Sequence, residues 1–275
     1  MLDVRNWSTE TWTALATVVA FVALIQPWLL AMVRRLFKRG TIDIYETSRI
    51  EVGYSGFGAT IGIMCTLRAR DRDMFIQWAK LSLLNNKDGS RREFSWSAFR
   101  TPKISVGMNT GQSAEVALDA PFSFLVSSLE PYRFNTIFSD DTLIAAARPV
   151  VEAVRKDWLV CVQKLELSGA ILDPGSQQAL MKKLRRAFDL FSATPGYQDA
   201  LERLKALYYW APGSYQLTLE IQTARPNRTH KKSWPFTLLD DVNGLENNVY
   251  AILEEVCGLP LTAGGYIFAS ASYGS

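Results

Sequence analysis

The sequence predicts an α+β protein: one N-terminal transmembrane helix followed by an antiparallel β-sandwich with an inserted helical segment. Three observations carry this. An uncharged apolar run stops abruptly at four cations, Arg34, Arg35, Lys38 and Arg39. Two blocks of period-two alternation follow, over residues 41–126 and 214–239. Between them, at about 139–212, the apolar period lengthens to that of helices. The chain thus divides into residues 1–40, an anchor with a basic juxtamembrane segment, and residues 41–275, a β-sandwich domain carrying the insertion. Separate β and α domains are the alternative.

No charged side chain occurs from Thr11 to Val33. Trp12–Val33 is 22 residues. As a helix that is about 33 Å, against a hydrocarbon core of ~30 Å. Ten of the 22 are Leu, Ile, Val or Phe, which favours insertion by roughly 3 to 6 kcal/mol before losses. A soluble amphipathic helix would show a polar stripe, and "ALATVVAFVALI" shows none. A cleaved signal peptide would carry its positive charge ahead of the apolar run, and here "RRLFKR" follows it. Trp7, Trp12 and Trp28 are candidate interface anchors. Gln26 and Pro27 interrupt the run as a polar residue and a kink, and Gln26 is also suited to hydrogen-bonding another helix. The positive-inside rule places the N-terminus outside and residues 34–275 in the cytoplasm. The four cations are then headgroup contacts, each contributing ~1 kcal/mol against anionic lipid.

In the body, "FGATIGIMCTLRA" alternates most cleanly, with Phe57, Ala59, Ile61, Ile63, Cys65, Leu67 and Ala69 on one face. "AEVALDAPFSFLV" repeats the pattern, putting Ala114, Val116, Leu118, Ala120, Phe122 and Phe124 inward. "TIDIYETSRIEVGY" and "FIQWAKLSLL" are rougher copies, and "NNKDGSRRE" supplies an Asp-Gly hairpin turn. Phe94, Trp96 and Ala98 alternate after it. Strands with one dry face joined by tight turns argue for antiparallel sheets packed as a sandwich. Three helices follow: "DDTLIAAARPVVEAVRKDWLVCVQKL", kinked or restarted at Pro149; "SQQALMKKLRRAFDLF", with Leu180, Leu184 and Phe188 in a stripe; and "TPGYQDALERLKALYYW", with Thr194 as its cap and Pro195 in the first turn. "YQLTLEIQT" and "SWPFTLL" then alternate, joined by the loop "ARPNRTHKK". A helix ending at Gly258 and a tail that is an edge strand or disordered complete the chain.

Chemistry is sparse. Five of the 30 cations and two of the 27 anions precede Thr41, so the body carries 25 of each. A neutral body is a poor binder of nucleic acid, which demands clustered Lys and Arg. The three cysteines, Cys65, Cys161 and Cys257, are far apart and lack CxxC spacing, which reads as free thiols and not as a disulfide framework or zinc site. "GYSGFG" has Phe57 where a nucleophile elbow needs Gly, and it reads as a tight turn. No Walker motif occurs. Asp140–Asp141 and Asp240–Asp241 each precede a helical pattern and read as caps. "KKLRR", Lys182–Arg186, reads as the wet face of its helix. The single histidine, His230, sits among Arg225, Arg228, Lys231 and Lys232, and the five form a candidate anion- or partner-binding loop. No catalytic residue, metal or cofactor is expected.

The stretches "GFGATIGIMCTLRA", "EFSWSAFRTPK" and "RPNRTHKKSWPFTL" resemble a broad set of uncharacterised bacterial single-span membrane-anchored proteins with a cytoplasmic β-sandwich-like domain. The resemblance covers most of residues 41–260 and runs through strand-forming motifs. It implies the inner membrane and variable gene neighbourhoods, antiviral defence clusters among them, and carries over no site residue. The functional expectation is an anchored interaction or sensor module whose partners are membrane lipid and another protein or a second copy of itself. An oligomerising membrane-disrupting effector is the alternative, and a tethered hydrolase with an atypical carboxylate site is the third reading.

Overall fold

The computed structural model describes residues 9–37, 40–107, 111–164, 174–224, 226–259 and 266–271. Helix α1 (Thr9–Phe37) contains a stretch, Trp12–Met32, long and apolar enough to cross a membrane, and none of that stretch is buried against the rest of the chain. Leu24 is 74% exposed and Trp28 81%, whereas a core helix would bury both. Two hydroxyls find partners within this helix. Thr13 and Thr17 donate their hydroxyls to the carbonyls four residues back at 2.8 Å, as hydrocarbon requires. Pro27 lies inside the helix, so the carbonyl of Ala23 lacks its usual N–H partner.

Strands β1 (Thr41–Ser55) and β2 (Gly58–Arg70) form a hairpin around the "GYSGFG" turn. Strands β3 (Met74–Asn85) and β4 (Arg91–Gly107) form a second around Asp88-Gly89. Then come β5 (Gly111–Asp119), β6 (Phe124–Val126) and β7 (Tyr132–Ser139). Helices α2 (Asp141–Gln163), α3 (Pro174–Ser192) and α4 (Pro195–Ala206) separate these from β8 (Gly213–Ala224) and β9 (Asn227–Leu238). A 3₁₀-helix (Asp240–Asn247), α5 (Asn248–Val256) and β10 (Phe268–Ala271) follow.

The strands do not divide into the two sheets expected of a sandwich. Hydrogen bonds join them in one antiparallel sheet, ordered β10-β1-β2-β7-β4-β3-β8-β9, with β5 on β4 and β6 on β3. The reason is β7, which the sequence reading missed. It pairs with β2 from Thr60↔Ser139 to Leu67↔Tyr132 and with β4 from Ser95↔Ser139 to Phe99↔Thr136, stitching the first hairpin to the rest. Two local expectations also change. "AEVALDAPFSFLV" breaks at Pro121 into β5 and β6, leaving Leu118 and Phe122 about half exposed while Phe124 is buried. A β-bulge between Trp96 and Ala98 resets the inward register of β4, so that Phe99 joins Phe94 in the core.

The sheet curls into a half-barrel around a core of inward residues that includes Ile61, Leu67, Leu81, Phe134, Leu219 and Phe236. Its edges face each other. β10 pairs with Ile50–Gly53 of β1, and the stretch Thr41–Glu46 looks toward β9. Side chains bridge the seam there: Ile42 N–H donates to Nδ1 of His230 at 3.4 Å, Trp234 Nε1–H donates to Glu46 at 2.8 Å, and Lys232 lies 3.7 Å from the same carboxylate.

Antiparallel pairing gives the half-barrel two distinct ends. Thr41, the β2–β3 turn, the β6–β7 loop and the β8–β9 turn share the end that α1 leads into. The β1–β2 and β3–β4 turns lie at the opposite end, and from there the chain leaves for α2, returns from α4 and passes into α5. These helices form a cap with its own core, centred on Val154, Trp158, Phe188, Phe191, Leu201 and Leu253. Trp158 Nε1–H donates to the carbonyl of Cys257 at 2.7 Å, tying α2 to the end of α5.

Candidate functional site

The cap is fastened to the sheet by four aromatic rings and one carboxylate. After Leu207 the chain leaves the helical path, and Tyr208, Tyr209 and Trp210 fold back onto Tyr54 of β1. The Tyr208 and Tyr54 rings stack with centroids 3.6 Å apart and planes 7° from parallel. The Tyr54 hydroxyl accepts the backbone N–H groups of Tyr209 and Trp210, at 2.5 and 2.9 Å. Asp140 is buried and caps α2, accepting from the N–H groups of Thr142 and Leu143 at 3.0 and 3.1 Å. Its other oxygen accepts the Tyr209 hydroxyl at 3.0 Å and lies 3.6 Å from Arg92. The Arg92 guanidinium sits 3.6 Å above the Tyr209 ring. Burial, first of all, raises the pKa of Tyr54, Tyr208 and Tyr209 above the ordinary phenol value, so all three are neutral phenols at physiological pH.

Beside this junction lies a cleft of about 400 Å³ between the β1–β2 turn and helices α2, α4 and α5. Ile144, Ala147, Val151, Leu204, Tyr208 and Ile252 give it an apolar lining. Arg148, Glu152 and Arg155 of α2 and Glu255 of α5 supply its charges. Neither arginine has a carboxylate within ion-pair distance among the described residues. Glu255 accepts the Tyr266 hydroxyl. The turn wall depends on Gly58, whose φ is 76° and where a Cβ would come within 2.8 Å of Ile144. An apolar concavity with a few charged groups at its mouth is the usual form of a small-ligand or side-chain pocket. Glu152 and Glu255 are also the one carboxylate pair that shares this cleft.

The predicted sites fall elsewhere. Trp12, Gln26, Pro27 and Trp28 all lie on α1, and Gln26 is exposed. Arg34 and Arg35 belong to its last turn; their side chains, and all of Lys38 and Arg39, lie outside the described residues. Trp7 and Arg225 are outside them too. Arg228, His230, Lys231 and Lys232 belong to strand β9 and not to a loop. Alternation separates them: Lys231 points with Ser233 to the outer face, 2.6 Å from Glu220, while His230 and Lys232 share the face of Trp234 and reach the seam. Burial and then Arg228 lower the pKa of His230. On α3, Arg185 turns inward to Glu254 at 2.8 Å, so "KKLRR" is not wholly a wet face. Asp140 caps its helix as expected. Asp240 and Asp241 instead begin a 3₁₀-helix that has no side-chain cap.

Cys65, Cys161 and Cys257 are free, and burial pushes Cys65 and Cys257 up to about 12, which leaves both as inert thiols at neutral pH. Among the described residues no His, Cys, Asp and Glu side chains gather into a metal-binding group. The cap cleft is the feature that sequence reasoning missed. Its lining comes from four separate segments, and the one local signal was the run of aromatics in "LYYW". The chain matches no protein-family model, no curated protein and no solved structure.

Proposed function

We propose that this chain is a membrane-anchored binding or sensing module of the bacterial inner membrane. α1 spans the bilayer with its N-terminus outside, and the body stands in the cytoplasm. The polarity of the fold supports this reading above all: α1 leads into one end of the half-barrel, and the apolar cleft opens in the cap at the other. Such a layout confines the body to two dimensions and presents the pocket away from the lipid, raising the effective concentration of membrane-borne partners. A place in an antiviral defence assembly rests on the sequence resemblance alone. The test is in-cell crosslinking of a C-terminally tagged chain, compared with Ala147→Glu, which puts a charge into the cleft lining. A protein or small molecule recovered with the native chain and lost with Ala147→Glu supports the reading. Recovery of nothing specific overturns it, and equal recovery with both chains overturns the assignment of the cleft.

A second reading, an effector that clusters its anchors, is favoured by one observation. Gln26 is exposed within the apolar stretch and, among the described residues, makes no hydrogen bond. In hydrocarbon its amide needs a partner, and another α1 supplies one. If Gln26→Leu leaves the oligomeric state in mild detergent unchanged, that reading falls.

A further inference from the structure

We propose that the anchor end of the half-barrel is a second membrane contact, with Leu129, Leu125 and Phe75 entering the interface of an anionic bilayer and Arg68, Arg72 and Arg133 meeting its headgroups. This rests on the reading that α1 spans the membrane.

The first support is tethering. Gly40 is buried at the anchor end, wedged against the β2–β3 turn: a Cβ there would meet Met74 Sδ at 2.5 Å and Arg72 Nε at 2.9 Å. Only Lys38 and Arg39 separate Gly40 from Phe37, the last residue of α1. Three peptide steps reach at most ~11 Å. The β2–β3 turn is therefore held within about one headgroup layer of the end of the spanning helix, and neighbouring strands, ~4.8 Å apart, follow it.

The second is the character of that end. Leu129 is 87% exposed in the β6–β7 loop, yet the loop is fixed. Asp73 of the β2–β3 turn accepts both the N–H and the hydroxyl of Ser128, at 2.7 and 2.9 Å, and Leu129 N–H donates to Ser127 at 3.1 Å. Leu125 and Phe75, paired across β6 and β3 on the outer face, are 54% and 43% exposed. Large apolar side chains held rigidly in water are costly, and an interface relieves them. Arg68, Arg72 and Arg133 are exposed beside them, with no carboxylate within ion-pair distance among the described residues. Among the residues whose side chains are described, the anions of this end are Asp43, bonded by Arg70; Asp73, engaged by Ser128; and Asp71 and Glu130. Apolar side chains interleaved with cations are the pattern of an interfacial lipid contact.

The experiment uses the full chain with Cys161→Ser, reconstituted in vesicles of zwitterionic phospholipid with or without anionic phospholipid. A fluorophore is placed in turn at Val22→Cys in α1, Leu129→Cys at the anchor end, and Leu239→Cys at the cap end, where Leu239 is 68% exposed. Quenching by nitroxide lipids reports contact with the bilayer. The expected result is strong quenching at Val22, and quenching at Leu129 several-fold above that at Leu239. The Leu129 signal should rise with anionic lipid and drop when Arg72→Glu is added. Quenching at Leu129 no greater than at Leu239, with Val22 quenched, overturns the proposal. Equal quenching at Leu129 in both lipids overturns the arginine contribution. An unquenched Val22 overturns the spanning reading itself.

Discussion

Asp140 shows how much one residue can hold. Its carboxylate caps α2 and accepts the Tyr209 hydroxyl, with Arg92 within ion-pair distance. Asp140→Ala removes a cap, worth about 1 kcal/mol, and leaves a buried phenol without its acceptor, which costs ~1–3 kcal/mol more. We expect a loss of roughly 2–4 kcal/mol in chemical denaturation of the detergent-solubilised chain, with Asp140→Asn recovering part of it. His230 makes a pH-dependent contribution. Burial and Arg228 depress its folded pKa below the ordinary 6.5, so between those two values the unfolded chain binds more protons than the folded one. Stability is then fully present above about pH 6.5 and declines as pH falls below it. Thermal midpoints should be level from pH 8 to 7 and drop toward pH 5.5, before carboxylates titrate; His230→Gln should flatten that limb. A midpoint in the native chain that is constant over the whole range would contradict this.

At the scale of elements, the hairpin β1–β2 supplies both the anchor junction and the cleft wall. Gly58→Ala places a Cβ at positive φ and against Ile144. We expect a loss of about 1–2 kcal/mol, together with a narrowed cleft, read as weaker crosslinking to whatever the native cleft binds. β2 of that hairpin was the most legible strand of the sequence, because its inward residues, Ala59 through Ala69, are apolar without exception. The helices were legible for the same reason, and Thr194 caps α4 as read, accepting the N–H of Tyr197 at 3.4 Å. β7 was not. Its inward residues are Phe134, Thr136 and Phe138, all fully buried, and a polar threonine in the middle breaks the apolar alternation. Thr136 is tolerated because a β-branched side chain packs well on a central strand, although its hydroxyl is buried without a partner. Missing that strand turned one sheet into two. "ARPNRTHKK" failed differently: its charges read as a loop, yet those from Arg228 onward lie on an edge strand, where charge is admissible.

For the whole molecule, the long apolar helix and the neutral body could be read from the sequence but not their arrangement. Which end of a barrel meets the anchor depends on strand direction, and the cap cleft depends on four segments far apart in the chain. Removing residues 1–33 should release the body from the membrane fraction while leaving its thermal midpoint within a few degrees, because the stretch Trp12–Met32 buries nothing against it; a body that unfolds on release would show that α1 supports the fold. The curled sheet carries one more implication, for life at high density. Anchored chains crowd in a plane, and an open strand edge invites a neighbour to add itself as the next strand. Here the first six residues of β1 face β9 of the same chain, and β9 carries Lys231, Lys232 and Pro235, a residue without an N–H to offer. Each copy thus turns the edges of its seam toward each other, and β5, which pairs only with β4, is a described strand whose far edge stays open to a neighbour.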